Sequence, residues 1–184
     1  SINENIVYNP EFLREKHADF DFEQADMLIF GGGKAQAQQV CDLYKNNSNC
    51  SATRNFFTDL ETASLIKYTI NTFLATKVIF FNEIFELFSK LKISDSWNDF
   101  IDIVSHDKRI GESHMQVPGH DGRKGFGGAC FPKDSSALLN SANKKEIDLS
   151  LIKASIKKNN KIRSTYDDLD QREIDQNISY KDRN

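Results

Sequence analysis

From Asp59 to Leu91 the chain contains neither glycine nor proline, and that stretch limits what the remainder can build. Apolar side chains recur there at helical spacing: Leu65, Ile66, Ile70, Phe73, Leu74, then Val78, Phe81, Phe85 and Phe88. The period predicts one continuous helix. Thr58 or Asp59 can serve as its N-cap, with Glu61 or Thr62 in the first turn. Such a helix spans about 50 Å, longer than a small domain is wide. Its second half, Val78 to Phe88, is apolar on nearly all sides, and helices apolar all round are buried. One stripe can face the chain's own core. Phe80, Phe81, Ile84, Phe85 and Phe88 cannot all share that stripe, so a partner subunit is the expected cover. Glu83 and Glu86 argue against lipid.

Ahead of the helix the grammar differs. Asn5-Ile6-Val7-Tyr8 reads as a strand running into Asn9-Pro10, and Met27-Leu28-Ile29-Phe30 as a second strand ending at Gly31-Gly32-Gly33. A helical pattern follows from Ala35 to Tyr44, then a polar loop over 46–51 and a short apolar segment, Asn55-Phe56-Phe57. Strand, glycines, helix is the order of a phosphate loop, but neither G-x-x-x-x-G-K-[ST] nor G-x-G-x-x-G is present. A plain turn is the expectation for these glycines. Downstream, shorter helices are expected over about Trp97 to Ser105, Pro132 to Asn143 and Leu149 to Tyr166. Residues 167–184 are polar and charge-dense, and read as a mobile tail or a single packed turn.

Net charge is −3 with both signs interspersed, so no basic field points to nucleic acid or anionic membrane. No run of apolar residues is long enough to span a bilayer. Cys41, Cys50 and Cys130 are an odd count without framework spacing, which favours a reducing, cytoplasmic setting. The four histidines and three cysteines lack zinc-ligand spacing, so no metal site is expected.

The chemistry concentrates in Gly125-Phe126-Gly127-Gly128-Ala129-Cys130-Phe131-Pro132-Lys133-Asp134. Pro132 suits the first position of a helix, which would put Cys130 just ahead of a helix N-terminus, where amides and macrodipole favour a thiolate. The glycines permit close backbone approach to a ligand. A buried cysteine after a tight turn fits the same residues. Lys67 and Asn71, four apart, share one helix face among apolar neighbours. They are either a polar pair meeting an oxyanion or a surface lysine passing its stem over phenylalanines. Glu11 and Glu15, also four apart, either serve a site or open a helix whose dipole favours them. Arg109 offers a planar fork for phosphate or sugar oxygens, or is an ordinary surface arginine.

Three blocks in order decide between these alternatives: Asn9-Pro10-Glu11-Phe12-Leu13-Arg14-Glu15; Glu61 to Glu83 with Lys67 and Asn71; and GFGGACFPKD, preceded by Arg109-Ile110-Gly111 and Val117-Pro118-Gly119. Together they resemble the UDP-glucose/GDP-mannose dehydrogenase family. The resemblance implies a mainly α chain with a small α/β portion. Residues 1–57 would be the edge of a dinucleotide-binding α/β domain, 58–166 a helical central dimerisation domain on one long helix, and 167–184 a polar tail. It departs from the family at Lys16, where a small residue is usual, and at Ala25-Asp26-Met27, where Pro-Asp-Arg is usual.

The family oxidises a nucleotide-sugar C6 alcohol to a carboxylate in two NAD-dependent steps, through a cysteine thiohemiacetal and thioester. The resemblance makes Cys130 the nucleophile, Lys67 and Asn71 the oxyanion stabilisers, and Asp134 and Glu11 the managers of protons and water. It assigns Phe12, Leu13, Glu15, Phe126, Gly127 and Gly128 to the UDP-sugar, Arg109 to the sugar nucleotide across a homodimer, and Lys133 to the cofactor. UDP-glucose is preferred over GDP-mannose. The dinucleotide fingerprint is missing, so the chain alone is expected to be inactive toward NAD, and a non-catalytic dimerisation module is the alternative.

Overall fold

The computed structural model describes residues 6–14 and 17–181. The chain divides into two compact units, one running to Thr69 and the other starting at Ile70.

The first unit is built on a three-stranded sheet of order β1-β2-β3, with β1 (Val7–Tyr8), β2 (Met27–Gly32) and β3 (Arg54–Thr58). β1 runs antiparallel to β2, pairing Val7 with Gly32, and β3 runs parallel to β2, pairing Ile29 with Phe56. The parallel pair requires a crossover. It is supplied by α2 (Lys34–Asn47), whose Ala37 and Cys41 lie against Phe30 in the core of this unit. Tyr44 on α2 meets Phe22 and Phe30 edge-on. A short helix, α1 (Ala18–Glu23), precedes β2. The sequence does not announce it: six residues without buried side chains leave no periodic signal.

The glycines at the end of β2 are used for packing. A Cβ on Gly31 would stand 2.5 Å from that of Ala63, and one on Gly32 would stand 2.5 Å from the Ile6 carbonyl oxygen. Their bareness is consumed by neighbouring protein, which leaves no phosphate cradle at this turn.

The long helix, α3 (Leu60–Lys90), forms as its composition requires. Asp59 caps it by accepting from the Thr62 amide at 2.7 Å and the Thr62 hydroxyl at 2.8 Å. In the second unit α3 is followed by α4 (Trp97–Ser105), α5 (Cys130–Asn143), α6 (Ser150–Arg163) and α7 (Gln171–Asp175). α4 opens with a capping box between Ser96 and Asp99.

The expected cover for α3 needs correction. Phe81 is only 4% exposed and packs with Trp97, Met115 and Val117, while Ile84, Phe85 and Phe88 pack against that cluster. The chain's own α4 and the 115–117 loop therefore bury Phe81 and partly cover Ile84, Phe85 and Phe88, which had called for a partner. Phe80 remains exposed, as do Phe73, Leu87 and Leu91. A second cluster, Ala75, Ile79 and Phe126, joins α3 to the glycine segment.

Residues 167–181 take the packed form. Asp170 caps α7 with a capping box, and Glu173 and Tyr180 are buried. Among the described residues no helix is long and apolar enough to cross a membrane.

Candidate functional site

In the first unit Asn9 fixes the segment that carries Glu11. Its amide donates to the Ile29 carbonyl of β2 at 2.7 Å, and its Oδ1 accepts from the Tyr44 hydroxyl at 3.0 Å. From that anchor Glu11 meets Lys67: the ammonium donates to Glu11 Oε1 at 2.6 Å and to the Glu11 carbonyl at 2.9 Å. The Lys67 side chain is 12% exposed while Glu11 is half open. The stem is thus covered and the charge compensated, rather than waving in solvent. Phe12 and Leu13 are half-buried beside it. Glu15 and Lys16 lie outside the described residues. Arg14 grips Asp21 of α1 through its backbone amide and guanidinium, and those hydrogen bonds pull the Asp21 carboxyl down to about 2.

In the second unit α5 begins at Cys130, with Ala129 as its N-cap. The helix therefore starts two residues before the position that Pro132 suggests. Proline is tolerated in the third position because the first-turn amides lack intrahelical acceptors anyway. Cys130 is exposed and outside any disulfide. One turn on, Asp134 is 1% exposed. Its Oδ2 accepts from the Asn71 amide at 2.6 Å and its Oδ1 from the Lys133 ammonium at 2.7 Å. A carboxylate so enclosed is costly unless hydrogen-bonded, and these two donors compensate it. The structure thus brings Asn71 of α3 to Asp134 and Lys133 on the helix headed by Cys130.

The glycine segment before Cys130 is held by side chains that the motif does not contain. Asn159 of α6 takes both backbone groups of Phe126, accepting from its amide at 2.7 Å and donating to its carbonyl at 3.0 Å. Asn82 accepts from the Gly125 amide at 3.0 Å, and Glu173 from the Gly128 amide at 3.0 Å. The Phe126 ring lies in the core. Arg163 donates to Asp121 at 2.6 Å and stands 3.8 Å from Glu173. Lys77, also buried, donates to the carbonyls of Ile110 and Gly111 and so braces the loop after Arg109. Burial lowers its pKa. Arg109 itself is exposed and paired with Asp107.

The central-domain pattern of the UDP-glucose/GDP-mannose dehydrogenase family matches residues 61–161. This chain belongs to that family. It is 39% identical over 155 residues to the UDP-glucose 6-dehydrogenase of Rickettsia conorii, covering 84% of this chain and 34% of that one. A UDP-glucose 6-dehydrogenase of Bacillus subtilis is 35% identical over 161 residues, covering 85% and 33%. A solved UDP-glucose dehydrogenase from Pyrobaculum islandicum superposes with a TM-score of 0.72 at 33% identity, over 83% of this chain and 33% of that one. The chain therefore spans about a third of the length of these relatives.

Within a dehydrogenase family, the residues that sequence reasoning missed are supports: Asn9, Lys77, Asn82, Asn159, Arg163 and Glu173. A signal existed for some. Asn159 and Arg163 are four apart on α6 and both are buried, which makes one polar stripe on an inward face. Gly31 and Gly32, whose Cβ directions are filled by Ala63 and Ile6, offer no bare backbone to a phosphate.

Proposed function

We propose that this chain is the thiol-bearing central part of a nucleotide-sugar dehydrogenase that converts the C6 alcohol of UDP-glucose to the carboxylate of UDP-glucuronate. The observation that carries the reading is the Asn71 amide on buried Asp134, at 2.6 Å, one turn along the helix that starts at Cys130. A cysteine at a helix start, a buried carboxylate and an amide donor together suit covalent chemistry at a carbonyl.

The Cys130 thiolate forms a C–S bond to the C6 aldehyde, and the carbonyl pair moves onto oxygen. The resulting sp³ carbon again carries a hydride to give, which a bare aldehyde does not give up readily. Its loss leaves a thioester, and water attack then releases the carboxylate and the thiol. Lys67 and Asn71 donate to the oxyanion, while Asp134 and Glu11 hold water and accept its proton. NAD, the cofactor of the family, would supply the hydride acceptor for both oxidations, alcohol to aldehyde and thiohemiacetal to thioester, and the chain alone is expected to yield no NADH. GDP-mannose would undergo the same C6 chemistry, and likeness to UDP-glucose enzymes supports the uridine sugar.

A homodimer through residues 59–91 forms part of the reading. After folding, Phe73, Phe80 and Leu87 stay exposed at heptad spacing on α3, with Leu91 a turn beyond. Arg109, exposed at the surface, is the residue offered to the partner's site.

The test is a chimera in which this chain replaces the matched third of the Rickettsia conorii enzyme. Acid-quenched turnover should yield a glucuronyl adduct on the Cys130 peptide, and Cys130→Ser should abolish carboxylate formation. Undiminished UDP-glucuronate from the Cys130→Ser chimera would remove the reading.

A further inference from the structure

The glycine segment is gripped from behind by groups that belong to no motif, and all of them sit in the second unit. Glu173 is 1% exposed. Its Oε1 accepts from the Gly128 amide at 3.0 Å and the Tyr180 hydroxyl at 2.6 Å, and Oε2 accepts from the Asp170 amide at 2.8 Å. Arg163 lies 3.8 Å from Oε1 and reaches Asp121 with the same nitrogen. A Cβ on Gly127 would fall 1.5 Å from Arg163 Nη2 and 2.6 Å from Glu173 Oε1. The Gly127–Gly128 peptide is therefore pressed against an ion pair on one side and hydrogen-bonded to it at the amide. Cys130 is two residues further along.

We propose that Glu173 and Arg163 are positioning residues for Cys130: they fix the Gly127–Gly128 peptide and thereby the thiol at the start of α5. The inference rests on the reading of Cys130 as the nucleophile.

Docking of residues 167–181 would not by itself call for this arrangement. Apolar contacts dock a helix more cheaply than a buried ion pair, which is weak evidence for stability. Arg163 is also imperfectly satisfied, since its Nε and Nη1 are buried and meet no acceptor among the described residues. What the pair supplies is a fixed place for one peptide group. Asn159 and Asn82 hold the two preceding residues in the same manner, so the backbone entering α5 is defined at Gly125, Phe126 and Gly128 in turn.

The chain itself carries the controls. Cys41, fully buried, reports unfolding of the first unit, the fluorescence of buried Trp97 reports unfolding of the second, and Cys50, in the first unit, serves as the reference thiol. The experiment compares iodoacetamide labelling of the three cysteines by peptide mass spectrometry across pH, in the unaltered chain and in Glu173→Gln. Removing a negative charge by itself would favour the thiolate and speed labelling. Loss of position does the opposite, because the sulfur leaves the amides of the helix start. With Cys41 still protected and Trp97 emission unchanged, the Cys130-to-Cys50 rate ratio at neutral pH should fall by about fivefold or more, with the Cys130 midpoint moved upward. An unchanged or raised ratio overturns the proposal.

If Cys41 becomes reactive or Trp97 emission shifts in the variant, amide exchange of the unaltered chain decides. Strong protection of the Gly128 amide supports the grip, and exchange at the rate of an unstructured peptide overturns it. Failure of the underlying reading looks different: Cys130 would be no more reactive than Cys50 before any substitution is made.

Discussion

Asn71 meets Asp134 through one amide at 2.6 Å, and the carboxylate it serves is almost wholly enclosed. Asn71→Ala should destabilise the chain by about 1–3 kcal/mol, the penalty for a buried acceptor deprived of a donor. Asn71→Asp should show a pH signature. Two carboxyls at that separation share a proton, so one titrates above its usual range. A carboxyl whose folded pKa is raised contributes its stability at low pH and loses it as pH rises through that value. Urea midpoints should therefore fall further below those of the unaltered chain at neutral pH than near pH ~4. An equal drop at both would mean that the two side chains do not touch. The glycines give a second comparison. Gly128 has φ +74 with open space around its Cβ direction, whereas Gly127 faces Arg163. Gly128→Ala should cost about 1–2 kcal/mol of backbone strain, and Gly127→Ala more, because a guanidinium must leave its buried place.

Among the elements, α1 is held by Arg14 on Asp21, and the guanidinium and amide of Arg14 keep that carboxyl near 2. A depressed carboxyl adds stability above its unfolded value and loses it as pH falls, here between about 4 and about 2. The Asp21 carboxyl carbon should titrate with a midpoint near 2 by NMR, and Arg14→Ala should return it to about 4. A midpoint near 4 in the unaltered chain would show that α1 is not clamped. Neither α1 nor this ion pair is legible in the sequence, because a six-residue helix with no buried face has no period. The long helix is legible, since only continuous helix suits a stretch without glycine or proline and with apolar residues at helical spacing. The start of α5 misleads because Pro132 fits the first and the third positions alike, and only the backbone distinguishes them. Glu173 is hidden for a different reason. Its composition says solvent, and its partner amide lies 45 residues upstream, a distance that no local pattern spans.

At the scale of the whole chain, the question is what covers α3 once its own core has formed. Phe81 is spent on Trp97, Met115 and Val117, so Phe81→Ala should cost about 3–5 kcal/mol as a core truncation. Phe80 is 56% exposed and Phe73 64% exposed, and each leaves about 1.5–3 kcal/mol of burial unrealised in a lone chain. Leu87 continues the same heptad seam, and a second copy of α3 could lie along it with residue meeting residue about a two-fold axis. Under the proposed homodimer, sedimentation equilibrium should give twice 21.0 kDa. Phe73→Glu with Phe80→Glu should give a monomer whose far-ultraviolet circular dichroism is unchanged, because neither side chain is in the core. Phe81→Glu should instead lower the unfolding midpoint whether or not the chain dimerises. A chain that sediments at its single mass before substitution would leave the seam without a twin, and the homodimer proposal would fall.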